Sequence, residues 1–119
     1  MQRFTELKVW QRGHSLVLSV YRMTVGFPQN ERYGLISQLR RAALSVPTNI
    51  AEGSKRLTTA EYARFLNIAE ASLAETEYLI MVSRDLAYIT PVMASKAFDE
   101  ISELSRMLYG LRKKVQSTS

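Results

Sequence analysis

At 119 residues, with 46% apolar and 23% charged side chains, the chain has the size and composition of a single globular domain over residues 1–119, which argues against disorder. It contains no cysteine, which excludes disulfides and thiolate metal sites, and it lacks the run of about 18 apolar residues that a membrane span needs. The net charge of +5 is unevenly spread, with ten Lys/Arg against four Asp/Glu over residues 1–66 and six against seven over 67–119. A basic half of this kind attracts phosphate or acidic protein. Met1 to Trp10 carries Arg3, Glu6 and Lys8 in place of the apolar core of a signal peptide, so a cytoplasmic, membrane-free protein is expected.

The first helix is expected from Leu7 to Val25. Leu7, Trp10, His14, Val17 and Tyr21 recur at steps of three and four and form one helical face. Val9, Leu16, Val20, Met23 and Phe27 form a second row partly round the cylinder, broad enough to bury against more than one bundle seam. Gly26-Phe27-Pro28-Gln29-Asn30 then breaks the pattern. A second helix is expected from near Glu31, with Ile36, Leu39, Ala43, Val46 and Ile50 as its core row and Gly53 as its stop. Pro47 inside it removes one hydrogen bond and crowds the Ala43 carbonyl, so one kinked helix is expected.

Thr58 and Glu61 have capping-box spacing, which starts helix three. Its buried stripe reads Tyr62, Leu66, Ala69, Leu73, Thr76, Ile80 and Ser83. Tyr88 to Pro91 makes the next turn, with Thr90 as a cap and Pro91 in the first turn of helix four. Phe98, Ile101, Leu104, Leu108, Leu111 and Val115 form the last core row, and Arg112, Lys113 and Lys114 suit the negative end of that helix. No β-hairpin signal occurs. The class is all-α, and short loops predict an antiparallel up-down-up-down four-helix bundle with helix two kinked at Pro47.

The residues offer little for catalysis. His14 is the one histidine, and Gln11 stands where the Glu of a di-iron Glu-x-x-His motif would precede it. His14 is therefore read as a core or interface residue, and no metal or cofactor is expected. Ser45 and Ser72 have no histidine near them in sequence, and the five glycines are all separated, so neither a serine nucleophile nor a phosphate loop is indicated. The expectation is a non-enzymatic protein. Tyr33, Tyr62 and Phe65 are expected at or beside core positions, which leaves few aromatics for base stacking.

Helix two carries a polar row beside its core row. Arg41, Ser45, Asn49 and Glu52 step by four, four and three, and half-buried polar groups must find partners. A network of Arg41 with Glu52, or with Glu75 of helix three, is expected to hold helix register and to satisfy carbonyls freed by Pro47. The second reading is a phosphate site on Arg40, Arg41, Lys55 and Arg56, whose arginine forks match phosphate oxygens.

The stretches FTELKVWQRGHSLVLSVY, GFPQNERYGLISQLRRAALSVPTNIAEGSKR and FLNIAEASLAETEYLI together resemble the 23S rRNA intervening sequence protein family, also called four helix bundle proteins, over nearly the whole chain. The most specific parts are Phe27-Pro28 with Glu31, Gln38 to Arg41, and Asn49 to Gly53. The resemblance implies a homopentameric ring, similar to the accessory protein of diversity-generating retroelements. It also implies binding of RNA or DNA, and of a protein partner such as a reverse transcriptase, through a basic surface. Arg40, Arg41, Lys55 and Arg56 match that basic pattern. The alternative is a protein-interaction scaffold with no nucleic-acid role, suggested by the broad apolar surface of helix one.

Overall fold

The computed structural model describes residues 3–118. A 3₁₀ turn at Phe4–Glu6 leads into α1 (Lys8–Thr24), and a second 3₁₀ turn at Gln29–Glu31 precedes α2 (Leu35–Gly53). The chain then forms α3 (Thr59–Asp85) and α4 (Pro91–Ser117), and no strand occurs among the described residues. Packing is heaviest between α2 and α3, then α3 and α4, then α1 and α2, and lightest between α1 and α4. A single apolar core runs through all four helices, as the repeated three-and-four spacing requires.

The expected core rows of α2, α3 and α4 do face inward. Leu39, Ala43, Val46 and Ile50 are fully buried with Leu66, Ala69, Ile80 and Leu108. Among the described residues Thr24, Thr76 and Ser83 are buried polar residues, and each hydroxyl donates to the carbonyl four residues back. Burial of these hydroxyls is thereby satisfied within their own helices, and Thr24 also accepts from Arg40 of α2. Thr58 and Thr90 accept the Glu61 and Met93 amides at 3.1 Å and start α3 and α4. The reciprocal half of the Thr58 box is not made, because the Glu61 carboxylate is taken by Arg64.

Three local expectations are corrected. On α1, the inward row is Val9, Leu16, Val17 and Val20 with Gly13 and Thr24, while Trp10 is half-buried and His14 and Tyr21 are exposed. The row from Leu7 to Tyr21 is therefore the outer one, apart from Val17. Helix α2 begins at Leu35 and not near Glu31. Glu31 acts as a cap instead: its Oε1 accepts the Leu35 amide at 3.2 Å and its Oε2 accepts the Tyr88 hydroxyl at 2.9 Å. Tyr33, expected beside the core, is 87% exposed in the turn before α2.

The Glu31–Tyr88 bond joins the α1–α2 connection to the α3–α4 connection, so both sit at one end of the bundle. That placement is consistent with the up-down-up-down order. α2 continues through Pro47 as one helix. Side chains serve the neighbouring carbonyls there, Thr48 donating to Leu44 and Asn49 to Ser45.

Gly53 ends α2, but no glycine has a positive φ. A Cβ at Gly53 would lie 2.7 Å from Phe65 Cβ and 3.2 Å from a Tyr62 ring carbon, so its value lies in the close approach of α2 to α3. The left-handed position belongs to Ala87, with φ 61°. There the Tyr88 amide bonds the Ser83 carbonyl and the Ala87 amide bonds the Arg84 carbonyl, a Schellman ending with alanine where glycine is usual.

Candidate functional site

The four basic residues singled out by sequence do not converge. Arg40 is half-buried on the α1 side of α2, where its Nε donates to Thr24 Oγ1 at 2.8 Å and its guanidinium lies 4.4 Å from the centre of the Tyr21 ring. It ties α1 to α2 and has little left to offer a ligand. Arg41 is exposed and points elsewhere, since one residue along a helix is a turn of about 100°. Lys55 and Arg56 lie beyond the end of α2, roughly 20 Å from Arg40 at the helical rise of about 1.5 Å per residue.

Lys55 and Arg56 instead share an end of the bundle with groups from the start of α3 and the close of α4. Arg56 and Arg64 sit over the Phe65 ring at 4.5 and 4.8 Å, so the ring carries a cation from the loop and one from α3. Arg112 grips both carboxylate oxygens of Glu70 across the α3–α4 seam. Thr59, Ala60, Ala63, Arg64, Asn67, Arg112 and Gln116 line a hollow of about 520 Å³ at this end. Lys113 and Lys114 follow on the last turns of α4, both exposed.

The charges at this end differ in their freedom. Arg64 is paired with Glu61 at 3.0 Å, which holds the Glu61 carboxyl below its usual pKa and raises that of Arg64. The hydrogen bond to Glu70 likewise raises the pKa of Arg112. Among the described residues Lys55, Arg56, Lys113 and Lys114 form no ion pair. Those four can exchange counterions for an external anion without first breaking an ion pair within the protein. Sequence spacing could not group them, because Arg56 and Lys113 are 57 positions apart.

The polar row of α2 forms a smaller network than its spacing suggested. Asn49 Nδ2 donates to the Ser45 carbonyl and to Ser45 Oγ, at 2.8 and 2.9 Å, and Ser45 Oγ lies 2.8 Å from Ser72 Oγ on α3. Arg41, Glu52 and Glu75 stay outside it. Arg41 and Glu52 are 11 residues apart, about 16 Å along the axis, beyond reach of each other. Ser72 is the member that sequence alone missed. Neither serine has an imidazole beside it, since His14 stacks on Trp10 across α1, 5.1 Å between ring centres.

A third surface is apolar. Phe4, Trp10, His14, Val17, Leu44, Pro47, Thr48, Ala51 and Glu52 line a groove of about 380 Å³ along α1 and α2, and exposed Leu18 and Tyr21 extend it along α1. Among the described residues no group of three His, Cys, Asp or Glu side chains is placed to hold a metal. No helix there is long and apolar enough to cross a membrane.

The model of the family described as 23S rRNA-intervening sequence protein matches residues 5–110. Among solved structures, the fold is similar to that of a protein of unknown function from the S23 ribosomal protein family of Bacteroides thetaiotaomicron, with a TM-score of 0.79 and 22% identity over 88% of this chain and 98% of that one. No curated protein matches the chain.

Proposed function

Starting from a chain that belongs to the 23S rRNA-intervening sequence protein family, we propose that it is a non-enzymatic accessory protein whose cationic bundle end binds nucleic acid, RNA or DNA, as one subunit of a homopentameric ring. The observation that carries the reading is the gathering of Lys55, Arg56, Lys113 and Lys114 at one end, none of them in an ion pair with a carboxylate of the described residues. Phosphate backbones are bound mainly by such cations, with release of condensed counterions. Arg64 and Arg112 stand beside them, positioned by Glu61 and Glu70. The ring is supported by the apolar groove on α1 and α2, a surface that a neighbouring copy would cover.

Fluorescence anisotropy with labelled RNA and DNA at a series of salt concentrations tests the first part. Binding should weaken steeply with salt. Changing Lys55, Arg56, Lys113 and Lys114 together to alanine should lower the salt slope by about 0.9 for each phosphate that is no longer neutralised. Arg40→Ala should leave affinity unchanged, since that side chain is engaged with Thr24 and Tyr21. Absence of binding at low salt, or an unchanged slope in the fourfold variant, would falsify the reading.

A second reading is favoured by the Trp10, His14, Leu18 and Tyr21 stripe itself: a protein-interaction scaffold with no nucleic-acid role. Light scattering separates assembly from binding. A monomer at micromolar concentration removes both the ring and the scaffold of like subunits, while an assembled particle that ignores nucleic acid leaves the scaffold.

A further inference from the structure

The α2–α3 seam carries a polar groove that neither the cationic end nor the core explains. It has a volume of about 430 Å³ and is lined by Gln38, Arg41, Ala42, Ser45, Ser72 and Glu75. That size falls inside the range of about 300 to 1,000 Å³ common for small-molecule sites. All the lining residues but Ala42 are polar, and they come from two helices whose contributions lie about 30 positions apart in sequence.

The floor of the groove has a direction. Asn49 bonds the Ser45 carbonyl, which accepts and cannot donate, so the amide NH₂ of Asn49 faces Ser45. Ser45 Oγ therefore accepts from Asn49 as well. Either hydroxyl of the Ser45–Ser72 pair, 2.8 Å apart, can be the donor, and with Ser45 donating the bonds run in one sense, from Asn49 to Ser45 to Ser72. Each donor in such a chain polarises the next. Ser72 Oγ has no other partner among the described residues, and in that sense of the chain its proton is available to donate into the groove.

The rim adds two opposite charges. Arg41 on α2 and Glu75 on α3 both line the groove and are both exposed, yet neither forms an ion pair with the other or with any other described residue. A plain anion bound by Arg41 would lie beside the Glu75 carboxylate, and a plain cation bound by Glu75 would meet the guanidinium. A nucleic-acid phosphate fails here for the first of those reasons. One small molecule carrying both charges complements the pair.

We propose that this groove binds a zwitterion of the α-amino-acid class. Its carboxylate is held by the Arg41 fork and the Ser72 hydroxyl, its ammonium by Glu75, and the Gln38 amide contributes a further donor and acceptor. A role in helix register accounts for Asn49, Ser45 and Ser72, but it leaves Arg41 and Glu75 without a task. The site is separate from the cationic end, and its test involves no nucleic acid.

Backbone amide shifts of the ¹⁵N-labelled protein are followed while each of the common amino acids is added, beside N-acetylglycine as an anion-only probe and glycinamide as a cation-only probe. At least one zwitterion should give saturable shifts confined to residues 38–45 and 72–75. The two half-ligands, and the Arg41→Ala and Glu75→Gln variants, should each bind roughly ten-fold or more weakly, the usual effect of losing one charge-assisted hydrogen bond. Both variants alter exposed side chains, so their spectra should otherwise match the parent and report a folded chain. The proposal is overturned if no amino acid gives a saturable shift, if N-acetylglycine binds as well as the amino acid it mimics, or if either variant retains full affinity.

Discussion

At the bundle end made by the α1–α2 and α3–α4 connections, the turns are drawn into the core. Phe27 and Ile89 are buried, the Phe27 and Tyr88 rings lie 5.4 Å apart, and the Tyr88 hydroxyl closes onto Glu31. At the opposite end Leu57 is fully exposed in the α2–α3 loop, with Lys55 and Arg56 exposed beside it and Lys113 and Lys114 on α4. One end commits its aromatic and polar side chains to holding the helices together, and the other, beside the Arg112–Glu70 tie, leaves four cations without an ion pair among the described residues. Stability and the proposed binding thus fall on different ends, and substitutions at the two ends should affect different measurements.

The sharpest break of that contrast is Phe27→Ala. Removing a buried ring from the closed end should cost about 3 to 5 kcal/mol in urea unfolding, whereas the fourfold alanine variant of the open end should lose only about 1 to 2 kcal/mol, from the Arg56–Phe65 contact and the charges at the end of α4. Equal losses at both ends would erase the distinction.

Two backbone positions come next, and they should move stability in opposite directions. Gly53→Ala forces a Cβ to within 2.7 Å of Phe65 Cβ, an atom that cannot swing away, and should cost about 1 to 3 kcal/mol as overpacking does. Ala87→Gly relieves a left-handed alanine and should gain about 0.5 to 1 kcal/mol, since the strain removed slightly exceeds the extra chain entropy of glycine. Melting curves of the two variants give the comparison directly. If Ala87→Gly loses stability, the Schellman ending is not strained.

The smallest effect concerns pH. Donation to Glu31, with burial adding to it, raises the Tyr88 phenol above its ordinary value. A raised pKa means that the folded state holds this proton more tightly. The contribution is complete below about pH 10, the unfolded value, and is lost as pH rises through the folded one. The parent should therefore lose melting temperature on the alkaline side faster than Tyr88→Phe, which has no proton to release. Parallel alkaline limbs would show that the closed end does not depend on this bond.

Much of the fold was legible because helical periodicity is a local property. The core rows of α2, α3 and α4, the Thr58 and Thr90 caps and the position of Pro91 follow from spacing within a single turn or two. The site was far less legible. Arg40 and Arg41 are adjacent in sequence and diverge on the helix, while Arg56 and Lys113 are distant in sequence and share an end. Gly53 serves α2 differently from the stop expected of it, and Ala87 takes the left-handed position, for a similar reason: a close approach to Phe65 cannot be seen from the residues around Gly53, and the turn after α3 accepts alanine because its two closing hydrogen bonds hold it there.

What the sequence determined by itself was the helical class, the broad limits of the four helices and the relative angles of residues round each one. Those depend on contacts three and four residues apart, which every helix makes whatever surrounds it. Only tertiary packing decided the absolute orientation of α1, turning Val9, Leu16 and Val20 inward and Trp10, His14 and Tyr21 outward. Two apolar rows on one helix are equivalent until a partner covers one of them. Assembly of the cationic end, and the link from Asn49 and Ser45 to Ser72, likewise came from packing: the link needs α3 to fold back on α2, and the cationic end needs α4 to fold back on α3 as well.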